Sequence, residues 1–130
     1  MKDPSRWVYK KKRAKGKRYD KKAHEAQRVK HGFSTYDWWG FNSYLTFVIL
    51  GGLKKFKAES MGYPGTIITM GEWVEILDIM IEGFEAHEEF SALETYEPSK
   101  ITYEEWSKPL IEKWNTGSKL FIKYYGDLWD

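Results

Sequence analysis

The chain has 130 residues, a net charge of +2, no cysteine and 23 aromatic residues, seven of which are tryptophan. This length suits one domain with a real core, and the lack of cysteine excludes disulfides, thiolate metal sites and a cysteine nucleophile. Residues 1–20 carry Lys and Arg where a secretory signal needs an apolar stretch, and the longest uncharged run, residues 38–53, is too short to span a membrane. We therefore expect a cytoplasmic protein.

Charge is distributed very unevenly along the chain. Residues 1–31 contain 13 Lys or Arg against three acids, a net charge of +10, whereas residues 32–130 have a net charge of −8. Residues 1–19 lack helical periodicity, so we predict a basic N-terminal arm followed by one helical domain at 20–130. Such an arm is expected to bind polyanions such as nucleic acid. The alternative is that it folds back on the acidic part of the chain, residues 32–130. Its candidate phosphate contacts are Lys10, Lys11, Lys12, Arg13, Lys15, Lys17 and Arg18.

A short helix is predicted directly after the arm, from Asp20 to His31. Asp20 is a typical N-cap residue, and Gly32 is a typical C-terminal stop. The exposed side of this helix would be basic.

A helix-start motif occurs three times in the remaining sequence. In each copy a Ser or Thr is followed three residues later by an acid and four residues later by a Trp, with an apolar residue before the cap. This is the pattern of a capping box combined with a hydrophobic staple. Three helices are therefore predicted to begin at these caps. The caps are Ser34, Thr69 and Thr102.

The helix that follows Ser34 is predicted to run from about Thr35 to Glu59. It is apolar almost all round, which predicts a central helix or one with two partners. Gly51 and Gly52 each cost about 1 kcal/mol in a helix interior relative to Ala, so we expect a close backbone approach or a bend there.

Two more helices complete the predicted fold. The first, from about Met70 to Leu93, alternates an apolar face with an acidic one. The second runs from Tyr103 towards Gly126, and Pro109 predicts a kink or break near Ser107. The sequence thus predicts an all-α fold, a small helical bundle with a basic N-terminal arm.

The usual catalytic and metal-binding patterns are missing from the sequence. The histidines lack the Glu-x-x-His spacing of di-iron bundles, and there is no Gly-x-Ser-x-Gly elbow, Walker loop or Gly-x-Gly-x-x-Gly. Asp37 is an acid among aromatic residues, for which a capping role is the simplest interpretation. We expect a protein that is not an enzyme and that has no cofactor or metal.

The surplus of aromatic residues predicts a binding surface. Trp7, Trp39 and Trp129 have no obvious core role, and aromatic residues outside a core are typical of interfaces and of base stacking. Basic residues at 28–31 are followed closely by aromatic residues at 36–39. A nucleotide could place its phosphates on the basic side chains and stack its base on an indole. The predicted ligand-binding residues are Arg28, Lys30, His31, Tyr36, Trp38 and Trp39.

An ordered set of short motifs extends from Arg28 to Glu85. It begins Arg-Val-Lys-His-Gly-Phe-Ser-x-x-Asp-x-Trp, continues with Gly-Tyr-Pro at 62–64 and ends in Glu-Trp-x-x-Ile-Leu-Asp from Glu72. This region resembles small uncharacterised proteins of bacteriophages and prophages. The resemblance implies a phage setting and the cytoplasm of an infected bacterium, and it implies no particular activity.

Together these observations predict a non-catalytic phage protein that counters host defence, either by sequestering a nucleotide signal or by blocking a defence protein. The alternatives are an accessory protein that binds DNA or RNA through the arm, and a virion or assembly component. The helix that is apolar nearly all round also predicts a homo-oligomer.

Overall fold

A computed structural model describes residues 20–67 and 69–129, and the predicted N-terminal arm lies outside them. Within these ranges the chain forms five helices and no strand, which confirms the all-α class. The helices are α1 (Lys21–His31), α2 (Thr35–Trp39), α3 (Phe41–Glu59), α4 (Met70–Ala92) and α5 (Tyr103–Lys123), and a 3-10 turn, Tyr125–Asp127, follows α5.

All of the predicted N-caps are confirmed. The side chain of Asp20 accepts hydrogen bonds from two backbone amides of α1, and the three repeated motifs cap α2, α4 and α5 through hydroxyl oxygens that accept from the third helical residue. Gly32 ends α1 in the left-handed conformation, with φ +84°. These bonds join residues at most three positions apart, so their residue types alone make them predictable.

Two features of the predicted helices differ in the structure. The helix expected from Thr35 to Glu59 is interrupted at Gly40, whose φ of −125° and ψ of 55° lie outside the helical region. Conversely, α5 continues through Pro109, so the break expected near Ser107 is absent, and the alternative of a kink there stays a prediction. Proline removes only one helical hydrogen bond, and the apolar contacts along α5 compensate for that loss.

Contacts group the chain into two compact units divided between Leu45 and Thr46, within α3. The single domain over 20–130 stays a prediction. The described part of the first unit contains α1, α2 and the first turn of α3. The second unit, a small helical bundle, contains the rest of α3, α4, α5 and the 3-10 turn.

The second unit has an ordinary apolar core. The antiparallel helices α4 and α5 are joined by a short loop, and pairs of aromatic rings connect them, including Trp73 with Tyr124 at 5.6 Å and Phe84 with Trp114 at 5.1 Å between ring centroids. Leu53 of α3 closes the same cluster. The buried members of this cluster are Leu53, Trp73, Leu77, Met80, Ile81, Phe84 and Tyr124.

Helices α4 and α5 cross at two glycines. A Cβ on Gly83 would lie 2.8 Å from the Cα of Gly117, and a Cβ on Gly117 would lie 2.7 Å from the Cα of Gly83. The two backbones therefore touch at a point where no larger residue fits. The sequence predicted a close backbone approach or a bend at Gly51 and Gly52 instead. Both glycines are exposed, and apart from the adjoining backbone of α3 no atom of the described chain lies within 4 Å of their Cβ positions.

Two ion pairs connect α3 with α4 inside the second unit. The ammonium group of Lys57 lies 2.6 Å from a carboxylate oxygen of Asp78, and that of Lys54 lies 3.4 Å from Glu85. Helix α4 carries seven acids and no Lys or Arg, so the lysines of α3 neutralise part of an otherwise acidic helix. Among the described residues, no helix is long and apolar enough to cross a membrane.

Candidate binding site

All six predicted ligand-binding residues lie in the first unit. Three belong to the last turn of α1, and three belong to α2, which begins only four residues after α1 ends. The left-handed conformation of Gly32 reverses the chain tightly enough for the two helices to face each other. The α1 residues are Arg28, Lys30 and His31, and the α2 residues are Tyr36, Trp38 and Trp39.

Arg28 is held by a carboxylate rather than left open for a phosphate. Its Nε and Nη2 atoms donate to the two oxygens of Asp37 over 2.8 and 2.7 Å, and its guanidinium lies 4.8 Å from the centroid of the Tyr44 ring. This bidentate geometry is the strongest kind of Arg–carboxylate pairing. A phosphate at Arg28 would therefore compete with Asp37 for the guanidinium.

Asp37 is the centre of this arrangement. Besides Arg28, its carboxylate accepts hydrogen bonds from the backbone amide of Ser34 at 2.9 Å and from the Ser34 hydroxyl at 3.0 Å. The hydrogen bond from Arg28, aided by those from Ser34, outweighs the opposing effect of burial and lowers the pKa of Asp37 to about 2. Asp37 is therefore an ionised capping and pairing group at neutral pH, in agreement with its predicted capping role.

His24 extends the same network in a way that sequence reasoning missed. Its Nδ1 atom is hydrogen-bonded to the Ser34 hydroxyl, and both side chains are buried. A Ser, a His and an Asp meet here, but in a catalytic triad the imidazole lies between the other two groups, whereas here the hydroxyl does. The hydroxyl is also closed off from solvent, at 0% exposure of its residue. This geometry favours a structural network.

Two further hydrogen bonds connect the elements of the first unit, one partly buried and one exposed. The side-chain carbonyl of Gln27 accepts from the backbone amide of Thr35 at 2.8 Å, and the Tyr44 hydroxyl donates to the carbonyl of Gly32 at 2.6 Å. They join α1 to α2 and the first turn of α3 to the turn between them. These polar residues, spaced eight and twelve positions apart, carried no recognisable signal in the sequence.

Several large apolar side chains of this unit are exposed. The buried residues in its described part are all polar, namely His24, Ser34 and Asp37, whereas Trp39 is 63% exposed, Phe41 40% and Leu45 42%. The usual arrangement in a soluble domain is the reverse. We refer to Trp39, Phe41 and Leu45 as the apolar surface of the first unit.

Contacts among the predicted site residues divide them into separate groups. The rings of Trp38 and Trp39 meet edge to face, with centroids 5.7 Å apart, and Tyr36 lies 6.1 Å from the His24 ring. Lys30 is exposed and His31 is half-buried. Trp39 is thus the most exposed of these aromatic side chains, while Arg28 belongs to the polar interior.

The remaining predicted binding residues give no further site. The seven basic arm residues, Lys10 to Arg18, lie outside the described residues. Within the described ranges, no group of three or more His, Asp or Glu side chains is placed to hold a metal ion. Trp129, the other tryptophan without a predicted core role in those ranges, is 75% exposed in the second unit.

Comparison of the chain with protein-family models, curated proteins and solved structures found no match.

Proposed function

We propose that this protein is a non-catalytic binding protein, and that the apolar surface of its first unit contacts a protein partner. The observation that carries the proposal is the polarity of that unit, with His24, Ser34 and Asp37 buried while Trp39, Phe41 and Leu45 are exposed.

The polar network explains how this surface keeps its shape although, among the described residues, no apolar core lies beneath it. The Arg28–Asp37 pair and the Ser34 cap connect α1 to α2 and set the local backbone without burying Trp39. A surface that is already ordered before binding loses little conformational entropy when a partner binds. Tryptophan is also among the residues that contribute most to protein–protein affinity, because it buries a large area when a partner covers it.

The phage-like motifs suggest the setting for this contact. In that setting the partner is a host defence protein, which the small protein blocks by covering part of its surface in the cytoplasm of an infected bacterium. A blocking protein needs affinity and no catalytic chemistry, which suits a surface that presents the apolar side chains of Trp39, Phe41 and Leu45.

The exposure of Trp39 also favours a second candidate, sequestration of a nucleotide signal. Its indole can stack on a base, and Lys30 is exposed in the preceding helix. The pairing of Arg28 with Asp37 weighs against this candidate. Nucleic-acid binding through the basic arm stays a further proposal, for which the described residues supply no observation.

Self-association is part of the proposal as well, through another surface. On α3 in the second unit, Phe47 is 71% and Val48 50% exposed, and the exposed Gly51 and Gly52 follow four residues later on the same side of the helix. Large side chains beside glycines form a face that a second copy of the helix could meet closely.

Affinity capture tests the proposed contact with Trp39→Ala and, as a matched control, Trp129→Ala, which removes a slightly more exposed tryptophan from the other unit. A protein retained from phage-infected cells by the wild type is purified and titrated against all three forms by calorimetry. We expect Trp39→Ala to weaken binding by about thirtyfold, the effect of a strong interface residue, and Trp129→Ala to have little effect.

Equal binding by both variants would contradict the assignment of the surface. Titration of the same three proteins with cyclic nucleotides and ADP-ribose separates the second candidate. A stoichiometric complex with one of them that is lost in Trp39→Ala would favour sequestration over a protein partner.

A further inference from the structure

The second unit contains an open groove beside the glycine crossing. It lies between α4 and α5 and has a volume of about 280 Å³. Because α4 and α5 touch through backbone atoms at Gly83 and Gly117, side chains next to the crossing line the space between the helices. The lining residues are Ile79, Glu82, Pro109, Glu112, Lys113 and Thr116.

We propose that this groove binds an arginine-containing basic peptide segment of another protein. The surface is separate from the one assigned to the first unit, and the proposal does not depend on it.

The chemistry of the lining favours a cationic side chain with an apolar stem. Ile79, 37% exposed, and Pro109 supply apolar contact area. Glu82 and Glu112 supply carboxylates, and neither has an ion-pair partner within 4 Å among residues 20–67 and 69–129. The Thr116 hydroxyl already donates to the Glu112 carbonyl at 3.0 Å, so it has only acceptor capacity left.

Arginine matches this set of groups better than the other basic residues. Its aliphatic stem packs on apolar surface while its planar guanidinium pairs with carboxylates. The groove is smaller than most small-molecule sites and is open to solvent, so it suits one side chain of a longer segment rather than an enclosed ligand. Lys113 is the only cation among the lining residues, and with two carboxylates the groove keeps a net negative charge.

The charge of α4 supports the same occupant. Of its seven acids, Asp78 and Glu85 already bind lysines of α3, whereas Glu82 lies between them in sequence and faces the groove. A basic segment in the groove would repeat, on the α5 side, the pairing that α3 makes with this helix. The acidic helix would also attract such a segment at long range.

Fluorescence anisotropy tests the groove with full-length protein and two labelled peptides, one with alternating Arg and Leu and one with Glu in place of Arg. The variant is Glu82→Gln with Glu112→Gln. The matched control is Glu75→Gln with Glu94→Gln, which removes two exposed acids outside the groove lining. Circular dichroism verifies that both variants keep the helical content of the wild type.

We expect the Arg peptide to bind the wild type and the Glu peptide not to bind. The groove variant should weaken binding about tenfold, the combined effect of two exposed ion pairs, and the control should weaken it less than about threefold. Equal weakening in both variants would overturn the proposal, since attraction would then come from overall charge. Failure of the Arg peptide to bind the wild type would overturn it as well.

Discussion

The two units of this chain hold their structure by opposite means. In the first, the buried side chains are His24, Ser34 and Asp37, and Trp39, Phe41 and Leu45 are exposed; in the second, the interior is a cluster of apolar and aromatic side chains with acids outside. The first therefore depends on hydrogen bonds and on one ionised carboxylate, and the second on burial and close packing. The difference shows that polar contacts can hold a short segment in a defined backbone conformation while large apolar side chains such as Trp39 stay exposed.

The largest expected effect is a disruption of the second unit by a single methyl group. In Gly117→Ala the new Cβ would lie 2.7 Å from the Cα of Gly83 and 2.8 Å from the carbonyl oxygen of Ile79, and neither backbone atom can move aside cheaply. We expect a loss of about 3 kcal/mol in the free energy of unfolding. Urea unfolding followed by far-ultraviolet circular dichroism measures it.

Gly126→Ala is the matched control, because that glycine has open space around it. Unchanged stability in Gly117→Ala would mean that α4 and α5 separate more easily than their contact at the two glycines indicates.

A smaller effect is expected when the polar interior of the first unit loses its carboxylate. Asp37→Ala removes both bonds to Arg28 and the acceptor for the Ser34 amide, which is then buried without a partner. We expect the local free energy of opening to fall by about 2 kcal/mol. Hydrogen exchange of the α2 amides measures it.

Glu105→Ala serves as the control, since this acid has the corresponding place in the α5 start motif but is exposed. If the α2 amides exchange at the wild-type rate in Asp37→Ala, the polar network does not hold the first unit together.

Low pH should lower the stability of the first unit relative to the second by up to about 2 kcal/mol. The pKa of Asp37 falls from 3.8 to about 2 on folding, so its contribution is fully present above about pH 4 and is lost as the pH drops through 2. We expect the Trp39 indole signal in NMR spectra to report loosening of the first unit between pH 4 and 2. In Asp37→Asn this acid-dependent step should be absent, and its persistence there would assign it to another group.

The smallest expected effect concerns the exposed glycines of α3. Because no atom of the described chain beyond the adjoining backbone of α3 lies within 4 Å of their Cβ positions, Gly51→Ala and Gly52→Ala should each stabilise the protein by about 0.5–1 kcal/mol through better helix propensity. Thermal unfolding of dilute protein measures this gain, which is opposite in sign to the effect at Gly117.

Sedimentation of the same α3 variants tests the predicted homo-oligomer. If a second copy approaches α3 closely at these glycines, the added methyl groups should weaken self-association even as they stabilise the single chain. A wild-type protein that sediments only as a 15.5 kDa monomer at micromolar concentration would contradict the predicted oligomer.

What the sequence by itself determined is the position of the helix starts and the all-α class. A capping hydroxyl and the amide it accepts from lie three residues apart, so Ser34, Thr69 and Thr102 act wherever the rest of the chain goes. The same locality made Gly32 predictable as a helix stop and Asp37 as a capping acid.

Only the tertiary structure decided which groups meet across the chain. Arg28 was expected to attract phosphate, and its actual partner, nine residues away, became visible only once the turn at Gly32 had brought α1 against α2. The glycines show the same limit, because a missing side chain has identical local consequences at Gly51 and at Gly117. The two positions differ in what lies opposite them. At Gly51 there is open space, and at Gly117 there is the backbone of α4.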